Sequence, residues 1–202
     1  MKDKIVYPIV EHFYTLQGEG CYSGQAAYFI RLGGCDVGCT WCDTKESWDA
    51  TAHQKFDIET ILNWVIDANA EMVVITGGEP LMHHLTPLTN AFVENEIGVN
   101  METSGSHNFS GAFDWVCLSP KKFKKPLPEV YTKADELKIV VFNKSDFEFA
   151  EQEAKKVGED CLLYLQPEWD KRATILPEII HYIKENPQWQ LSLQIHKMIQ
   201  IP

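Results

Sequence analysis

Three cysteines lie within eight residues of one another, as Cys35, Cys39 and Cys42. The spacing C-x-x-x-C-x-x-C places three thiolates on one loop, where they could bind zinc, hold an iron–sulfur cluster or form a redox pair. Structural zinc requires four ligands, and with no second C-x-x-C and no H-x-x-x-H in the sequence, His12 or His53 would have to supply the fourth. Three soft ligands suit an iron–sulfur cube better, with one iron left open.

A second candidate site is the turn Thr76-Gly77-Gly78-Glu79-Pro80, which follows a short apolar segment. Two glycines allow a backbone to approach a ligand closely, and Glu79 can accept hydrogen bonds from an ammonium group. Taken alone, the same residues are equally typical of a tight turn with a cap. Together with a three-cysteine loop at the end of an earlier strand, they favour a shared ligand site.

Apolar runs alternate with amphipathic stretches along most of the chain. We expect about six core strands and a last strand near the end of the chain. Met72 to Ile75 is wholly apolar, as expected of a strand covered on both faces. The predicted strands are 28–32, 72–75, 99–102, 115–118, 137–142, 162–166 and 190–195.

Between the strands, helix-start residues precede apolar residues at helical spacing. Asp57 is a predicted N-cap for a helix whose buried face holds Ile58, Ile61, Leu62, Val65 and Ile66. Three further helices are predicted. The first begins at Thr86-Pro87 and has its C-cap at Gly98, and the second runs from a cap at Ser145 to about Val157. The third spans Leu176 to about Glu185. No long helix is expected between Glu102 and Trp115, and none is clear over 45–56.

This alternation predicts a parallel sheet with right-handed crossovers. Six strands are too few for a closed eight-stranded barrel, which leaves an open, partial barrel or a doubly wound sheet. In both architectures ligands bind beyond the carboxyl ends of the strands. The residues least expected in a core are found there, at 33–35, 76–80, 102–105, 119–121 and 166–167.

Composition restricts the class of protein. The 202 residues are 45% hydrophobic and 23% charged, as in an ordinary globular domain. A net charge of −11 argues against general nucleic-acid binding, which depends on basic surfaces. No apolar run approaches the ~18 residues of a membrane span, and Met1 to Val10 does not resemble a secretory signal. We therefore expect a cytoplasmic protein with no membrane partner, in which the cysteines are reduced.

The cysteine loop, with Trp41 directly before its third cysteine, and the G-G-E-P turn resemble the signatures of the radical S-adenosylmethionine superfamily. The resemblance implies a [4Fe–4S] cluster held by Cys35, Cys39 and Cys42. It also implies S-adenosylmethionine chelating the fourth iron and cleaving to a 5′-deoxyadenosyl radical. The expected fold is a partial (β/α) barrel of about six mainly parallel strands with helices outside, in one domain.

Further motifs, in order along the whole chain, are similar to those of the 7-carboxy-7-deazaguanine synthase family of the queuosine precursor pathway. The resemblance implies a lyase that converts 6-carboxy-5,6,7,8-tetrahydropterin to 7-carboxy-7-deazaguanine with release of ammonia. These motifs are FYTLQGEG at 13–20, Arg31, CDT at 42–44, ETSG at 102–105, SPK at 119–121, LQP at 165–167 and QIHK at 194–197.

The resemblance also assigns roles to residues, with no catalytic residue beyond the cluster and cofactor. Thr44 would ligate a Mg²⁺ ion that binds the substrate carboxylate, and Pro202, at the end of the sequence, would reach the substrate with its carboxylate. The substrate-binding residues would be Leu16, Gln17, Gly18, Glu19, Arg31, Thr76, His196 and Pro202. The residues that bind S-adenosylmethionine would be Trp41, Cys42, Asp43, Gly78, Glu79, Ser119, Pro120, Lys121, Gln166, Pro167, Glu168 and Trp169.

Simpler interpretations of several residues stay open. Arg31 could be an ion-paired arginine at a strand end, although a guanidinium is an apt partner for a carboxylate. Thr44 could cap the next segment. Gln17 to Gly20 could be only a polar turn.

The domain prediction is a single core over 1–202, with an N-terminal substrate segment of about 1–30 and a C-terminal strand and tail of about 188–202. The resemblance implies a homodimer reduced by a flavodoxin or ferredoxin. The alternatives are an activase that installs a glycyl radical in a protein, a non-catalytic metal-binding module and an electron-transfer protein.

Overall fold

A computed structural model describes residues 4–202 of the chain. Residues 1–3 of the predicted N-terminal segment lie outside the described residues. The described part contains nine strands: β1 (Val6–Leu16), β2 (Ala26–Leu32), β3 (Lys55–Asp57), β4 (Met72–Gly77), β5 (Gly98–Thr103), β6 (Trp115–Leu118), β7 (Glu136–Val141), β8 (Leu162–Pro167) and β9 (Trp189–Leu191).

The nine strands form one open sheet in the order β3-β1-β2-β4-β5-β6-β7-β8-β9. Each neighbouring pair from β2 to β9 is parallel, whereas β1 is antiparallel to both β2 and β3. Because β3 and β9 end the order without pairing with each other, the barrel is not closed. The prediction of a single-domain, mainly parallel, partial barrel is confirmed.

The described helices lie in the crossovers between strands and at the C-terminal end. The segment 45–56, in which no helix was clear from the sequence, contains two short 3₁₀ helices, Lys45–Trp48 and Ala50–Ala52. A third, Pro80–Met82, follows β4. The α-helices are α1 (Ile58–Asp67), α2 (Thr86–Val93), α3 (Pro128–Tyr131), α4 (Ser145–Ala154), α5 (Arg172–Glu185) and α6 (Ile195–Ile199).

Over residues 4–202, no helix combines the length and apolar character required to cross a membrane.

Two predicted helix starts are confirmed. The carboxylate of Asp57 accepts a hydrogen bond from the N–H of Thr60 at 2.9 Å and so caps α1. Helix α2 begins at Thr86 with Pro87 in its first turn, where the missing N–H of proline costs no helical hydrogen bond.

Two predicted caps are wrong. Gly98 starts β5 instead of ending α2, and the left-handed turn falls on Glu96, with φ of 58°. Ser145 is the first residue of α4, and its hydroxyl donates to Asn143 at 2.7 Å. The carboxylate of Asp146 instead accepts from the backbone N–H groups that precede the helix, at 2.8 Å each.

Other boundaries differ from the prediction. Helix α4 ends at Ala154, three residues before the predicted end, and α5 begins at Arg172, four residues before the predicted start. The predicted last strand stops at Leu191, and α6 follows. The N–H of Ile195 donates to the carbonyl of Gly18 at 2.9 Å, so this backbone pairs with the β1–β2 loop instead of extending β9.

The strand β1 was not predicted, yet it extends the sheet beyond β2. Its hydrogen-bond partners in β2 run from Leu32 opposite Ile9 to Ala26 opposite Leu16, with one irregularity near Ile9. Because Leu16 lies opposite Ala26, the chain leaves β1 beside the amino end of β2.

The sheet's main core packs against α1, α2, α4 and α5. On α1 the buried side chains are Ile61 and Val65, whereas 43% of Ile66, predicted to lie on the same face, is exposed. The buried stripe of α1 is thus narrower than its apolar composition indicates.

Replacing Ile61 by Ala should lower the free energy of unfolding by about 2 to 5 kcal/mol, because the fully buried side chain leaves a cavity. The matched change Ile66→Ala on the same helix should cost less than about 1 kcal/mol. Urea unfolding of both variants measures the difference. Equal effects would contradict the packing described for α1.

Candidate active site

A cavity of about 600 Å³ opens at the carboxyl ends of the parallel strands. Most of the residues singled out from the sequence line it; Glu79 and Pro120 do not. The predicted residues that line the cavity are Leu16, Gln17, Gly18, Glu19, Arg31, Cys35, Cys39, Trp41, Cys42, Asp43, Thr44, Thr76, Gly78, Ser119, Lys121, Gln166, Pro167, Glu168, Trp169, His196 and Pro202.

The cysteine loop follows β2 and is held by its backbone. The N–H groups of Gly34 and Cys35 donate to the carbonyls of Ser47 and Trp48, at 2.7 and 3.1 Å. Positive φ angles at Gly34 and Gly38, 112° and 72°, let the chain turn back so that all three thiols face the same cavity. The loop is thus shaped by the segment 45–48, for which no structure was predicted.

The three thiols fit an iron–sulfur cluster. None of the chain's cysteines forms a disulfide; Cys39 is buried, and Cys35 and Cys42 are half-buried. Within residues 4–202, no three His, Cys, Asp or Glu side chains converge on one point suitable for a single metal ion. In a cluster each thiolate binds a different iron, and three soft thiolates suit such a cluster with one iron left open.

Burial raises the pKa of the Cys35 and Cys39 thiols. The N–H of Val37 opposes this effect at Cys35, and the charge of Lys121 opposes it at Cys39. Metal binding to these cysteines would therefore release protons.

The glycines of the G-G-E-P turn are required for packing. A Cβ on Gly78 would lie 2.4 Å from the carbonyl oxygen of Gly34, and one on Gly77 would lie 2.4 Å from that of Leu32. The N–H of Gly78 donates to the carbonyl of Leu32 at 3.0 Å, and the N–H of Glu79 donates to the carbonyl of Gly34 at 2.8 Å. The turn after β4 is thereby fixed directly against the first residues of the cysteine loop.

The structure gives Glu79 a different role from the expected one. Its carboxylate is buried, with 1% of the residue exposed, and accepts four hydrogen bonds. The donors are the N–H of Leu81, the hydroxyl of Thr103, and the N–H and hydroxyl of Ser104, at 2.5 to 3.0 Å. With both oxygens occupied, the expected contact with the cofactor's ammonium group is not supported, and Glu79 joins the ends of β4 and β5.

The floor of the cavity is a polar network that sequence reasoning largely missed. Lys138, on β7, lies 2.5 Å from Glu19 and 3.7 Å from Glu102. Gln17 donates to Glu102 at 3.0 Å, and Gln194 donates to Glu19 at 2.9 Å. The available signal was a lysine at the second position of an otherwise apolar predicted strand, 137–142.

Arg31 is ion-paired, as one interpretation expected, and it also borders the cavity. Its Nε donates to the Glu11 carboxylate at 2.7 Å. Thr44 precedes the first 3₁₀ helix, but its side chain makes no capping hydrogen bond there. The hydroxyl lies 3.8 Å from Cys42 Sγ and borders the cavity.

The C-terminal segment closes one side of the cavity. Lys197 forms an ion pair with Asp43 at 2.6 Å, which holds the pKa of that carboxyl below its usual range although burial opposes it.

Burial lowers the pKa of His196. A Cβ on Gly18 would lie 2.2 Å from the His196 ring, so glycine is required there. The hydroxyl of Thr15 donates to the backbone oxygen of Pro202 at 3.4 Å.

Lys121 lies beside the cysteine loop. Its ammonium donates to the Ser119 hydroxyl at 2.5 Å and lies 5.4 Å from the centre of the Trp41 ring. Burial lowers its pKa.

An open parallel sheet whose carboxyl edge carries three free thiols and a closely packed G-G-E-P turn defines a protein of the radical S-adenosylmethionine superfamily. Residues 29–123 match that superfamily's sequence profile. The 7-carboxy-7-deazaguanine synthase of Flavobacterium psychrophilum is 49% identical over 96% of this chain and 92% of its own. The enzyme of that name from Synechocystis sp. is 45% identical over 96% of this chain and 93% of its own.

The crystal structure of QueE from Escherichia coli superposes with a TM-score of 0.82 and 34% identity, covering 95% of each chain. This chain belongs to the 7-carboxy-7-deazaguanine synthase family.

Replacing Glu79 by Ala should lower the free energy of unfolding by about 3 kcal/mol or more, because buried donors on Leu81, Thr103 and Ser104 lose their acceptor. Chemical denaturation of the cluster-free protein measures the change. A variant of unchanged stability that no longer binds S-adenosylmethionine would contradict the bracing role and restore the role expected from the sequence.

Proposed function

We propose that the chain converts 6-carboxy-5,6,7,8-tetrahydropterin to 7-carboxy-7-deazaguanine with release of ammonia, as a radical S-adenosylmethionine lyase of queuosine biosynthesis. The observation that carries the proposal is that one cavity is lined by the three cysteines and also by a separate polar set suited to a carboxylated heterocycle. That set includes Arg31, Gln17 and Glu102.

Cys35, Cys39 and Cys42 would hold the cluster, and Gly78, Ser119, Lys121 and the segment 166–169 would surround S-adenosylmethionine. When bound, the cluster and S-adenosylmethionine would supply the radical chemistry that removes a hydrogen atom from the substrate.

The protein's contribution is to orient the substrate beside the cofactor and to exclude water. Arg31 would bind the substrate carboxylate through its two Nη nitrogens, while Nε stays paired with Glu11. Other residues that line the cavity would lie along the substrate ring and hold it in position. They are Leu16, Gln17, Gly18, Thr76 and His196.

We propose Mg²⁺ as a further cofactor, with Thr44 as its protein ligand. The support is a hydroxyl that borders the cavity without serving as a helix cap. A single hydroxyl completed by substrate oxygens and waters is compatible with magnesium, which keeps several waters and is rarely enclosed by protein ligands.

For the whole protein we propose a single domain over 1–202, cytoplasmic location, a homodimer, and reduction by a flavodoxin or ferredoxin. Several large apolar side chains of β1 and α6 are exposed, which is compatible with an interface. They are Tyr14, Leu16, Ile195, Met198 and Ile199.

The alternatives have less support. An activase that acts on a protein does not need the polar set of Gln17, Arg31 and Lys138. A non-catalytic or electron-transfer module does not need a cavity of about 600 Å³ beside the thiols.

The reaction is tested by anaerobic incubation with S-adenosylmethionine, reductant, Mg²⁺ and the carboxypterin, followed by mass detection of the product. We expect turnover by the wild type, and no product and no cluster absorbance with Cys35→Ala, Cys39→Ala or Cys42→Ala. Cys161→Ala, a buried cysteine outside the cavity, is the matched control and should keep the cluster. If the wild-type enzyme, with its cluster and S-adenosylmethionine bound, left the carboxypterin unchanged, the proposed reaction would be refuted.

Replacing Thr44 by Ala should raise the Mg²⁺ concentration needed for half-maximal turnover by about tenfold, since a metal–ligand contact is lost. Thr51→Ala, on a nearby exposed 3₁₀ helix, is the control. The absorbance of the cluster should be unchanged in both variants. Loss of the cluster in Thr44→Ala would instead assign Thr44 a structural role.

A further inference from the structure

Lys197, on α6, contacts two segments that line other sides of the cavity. Its ammonium forms an ion pair with the carboxylate of Asp43 at 2.6 Å and lies 5.3 Å from the centre of the Trp169 ring. Asp43 directly follows the third cysteine of the cysteine loop, and Trp169 lies in the loop between β8 and α5. One side chain thus joins the C-terminal helix to the cysteine loop and to the loop after β8.

The C-terminal segment, residues 194–202, is otherwise held near its two ends. At its start, hydrogen bonds from Gln194 and from the N–H of Ile195 reach the β1–β2 loop, at 2.9 Å each. At its end, the hydroxyl of Thr15 donates to the backbone oxygen of Pro202 at 3.4 Å. No residue of α6 is buried. Because segments with few buried contacts open more readily than a core, the ion pair in the middle of this segment matters for its position.

The residues that Lys197 joins belong to two different candidate sets. His196 and Pro202, in the C-terminal segment, are expected to bind the substrate, whereas Asp43 and Trp169 are expected to bind S-adenosylmethionine, and all four line the cavity. Lys197 itself is part of the motif at 194–197, but the family resemblance assigns it no role. It therefore connects the substrate side of the cavity to the cofactor side.

We propose that Lys197 is a positioning residue that holds the C-terminal segment against the cysteine loop and so keeps the substrate aligned with the cofactor. The inference deepens the proposed function and rests on it. Reaction rates depend steeply on the placement of the reacting atoms, so a segment that opens would let the substrate move out of alignment.

The exposure of the ion pair shows that its role is local. Of the Lys197 side chain 23% is exposed, and of the Asp43 side chain 57%. An ion pair exposed to this extent adds little to the stability of a whole fold. Loss of the pair should therefore change the position of the C-terminal segment while leaving thermal unfolding nearly unchanged.

The first test measures how often cleavage of S-adenosylmethionine fails to yield product. When the substrate is misaligned, the cleaved cofactor takes its hydrogen atom from another donor and leaves as 5′-deoxyadenosine. We expect Lys197→Met to raise the ratio of 5′-deoxyadenosine to product about fivefold, the upper range for losing one partly exposed ion pair. A variant that only folded less well would form less of both compounds and would leave the ratio unchanged.

Two further variants serve as controls for this ratio. Lys197→Arg keeps the charge and can stack on the Trp169 ring, so it should restore the wild-type ratio. Lys184→Met removes an exposed lysine in the last turn of α5 that does not line the cavity, and it should also behave as wild type.

The second test measures hydrogen exchange in the full-length protein with its cluster, before S-adenosylmethionine or substrate is added. The N–H of Ile195, which donates to Gly18, should exchange about fivefold faster in Lys197→Met, because exchange reports the same opening of the segment. In an Asp43→Asn background, Lys197→Met should add about twofold or less, since the ion pair is already lost.

An unchanged 5′-deoxyadenosine ratio in Lys197→Met, or exchange at Ile195 as slow as in the wild type, would overturn the inference. An equal effect in Lys184→Met would overturn it too. A wild type that cleaves S-adenosylmethionine but does not convert the carboxypterin would contradict the proposed function instead, and hydrogen exchange would then decide the role of Lys197. If Lys197→Met does not load its cluster, Lys197→Gln replaces it with the same expectations.

Discussion

The candidate site depends on the close packing of two turns at one edge of the parallel sheet. Strands β2 and β4 are neighbours in register, so the cysteine loop and the G-G-E-P turn leave the sheet side by side. A methyl group on Gly78 would lie 2.4 Å from the backbone of the cysteine loop, so these turns meet with no room between them. The thiols and the cofactor turn are therefore positioned together, by the backbone.

Two buried carboxylates extend this arrangement across the sheet. Glu79 joins the ends of β4 and β5 through four hydrogen bonds, and Glu136, on β7, accepts from the N–H of Cys21 at 2.9 Å and so secures the β1–β2 loop. A buried carboxylate is stable only when its oxygens are satisfied, so each fixes several segments at once. The strand ends and loops that bound the cavity are thus hydrogen-bonded to one another through these two carboxylates.

The motif residues and the main parallel strands were predictable from the sequence, because glycine, cysteine and apolar runs report local constraints. The cysteine loop, Thr76 and the 119–121 segment lie where the strand ends predicted. Contacts between distant segments left no local signal in the sequence. The sequence shows Lys138 only as a charged residue in an apolar strand, and its carboxylate partners, Glu19 and Glu102, become apparent only in the structure. Strand β1 was missed because its side chains do not alternate cleanly between buried and exposed.

The central claim is that three thiolates hold a cluster whose remaining iron is free to bind a ligand at the cavity. Electron paramagnetic resonance of the anaerobically reconstituted, reduced protein, recorded before and after adding S-adenosylmethionine, tests it directly. The account predicts a [4Fe–4S]⁺ signal whose g-values change when the cofactor is added. A spectrum that is unaffected by saturating cofactor, or the absence of any cluster signal, would contradict it.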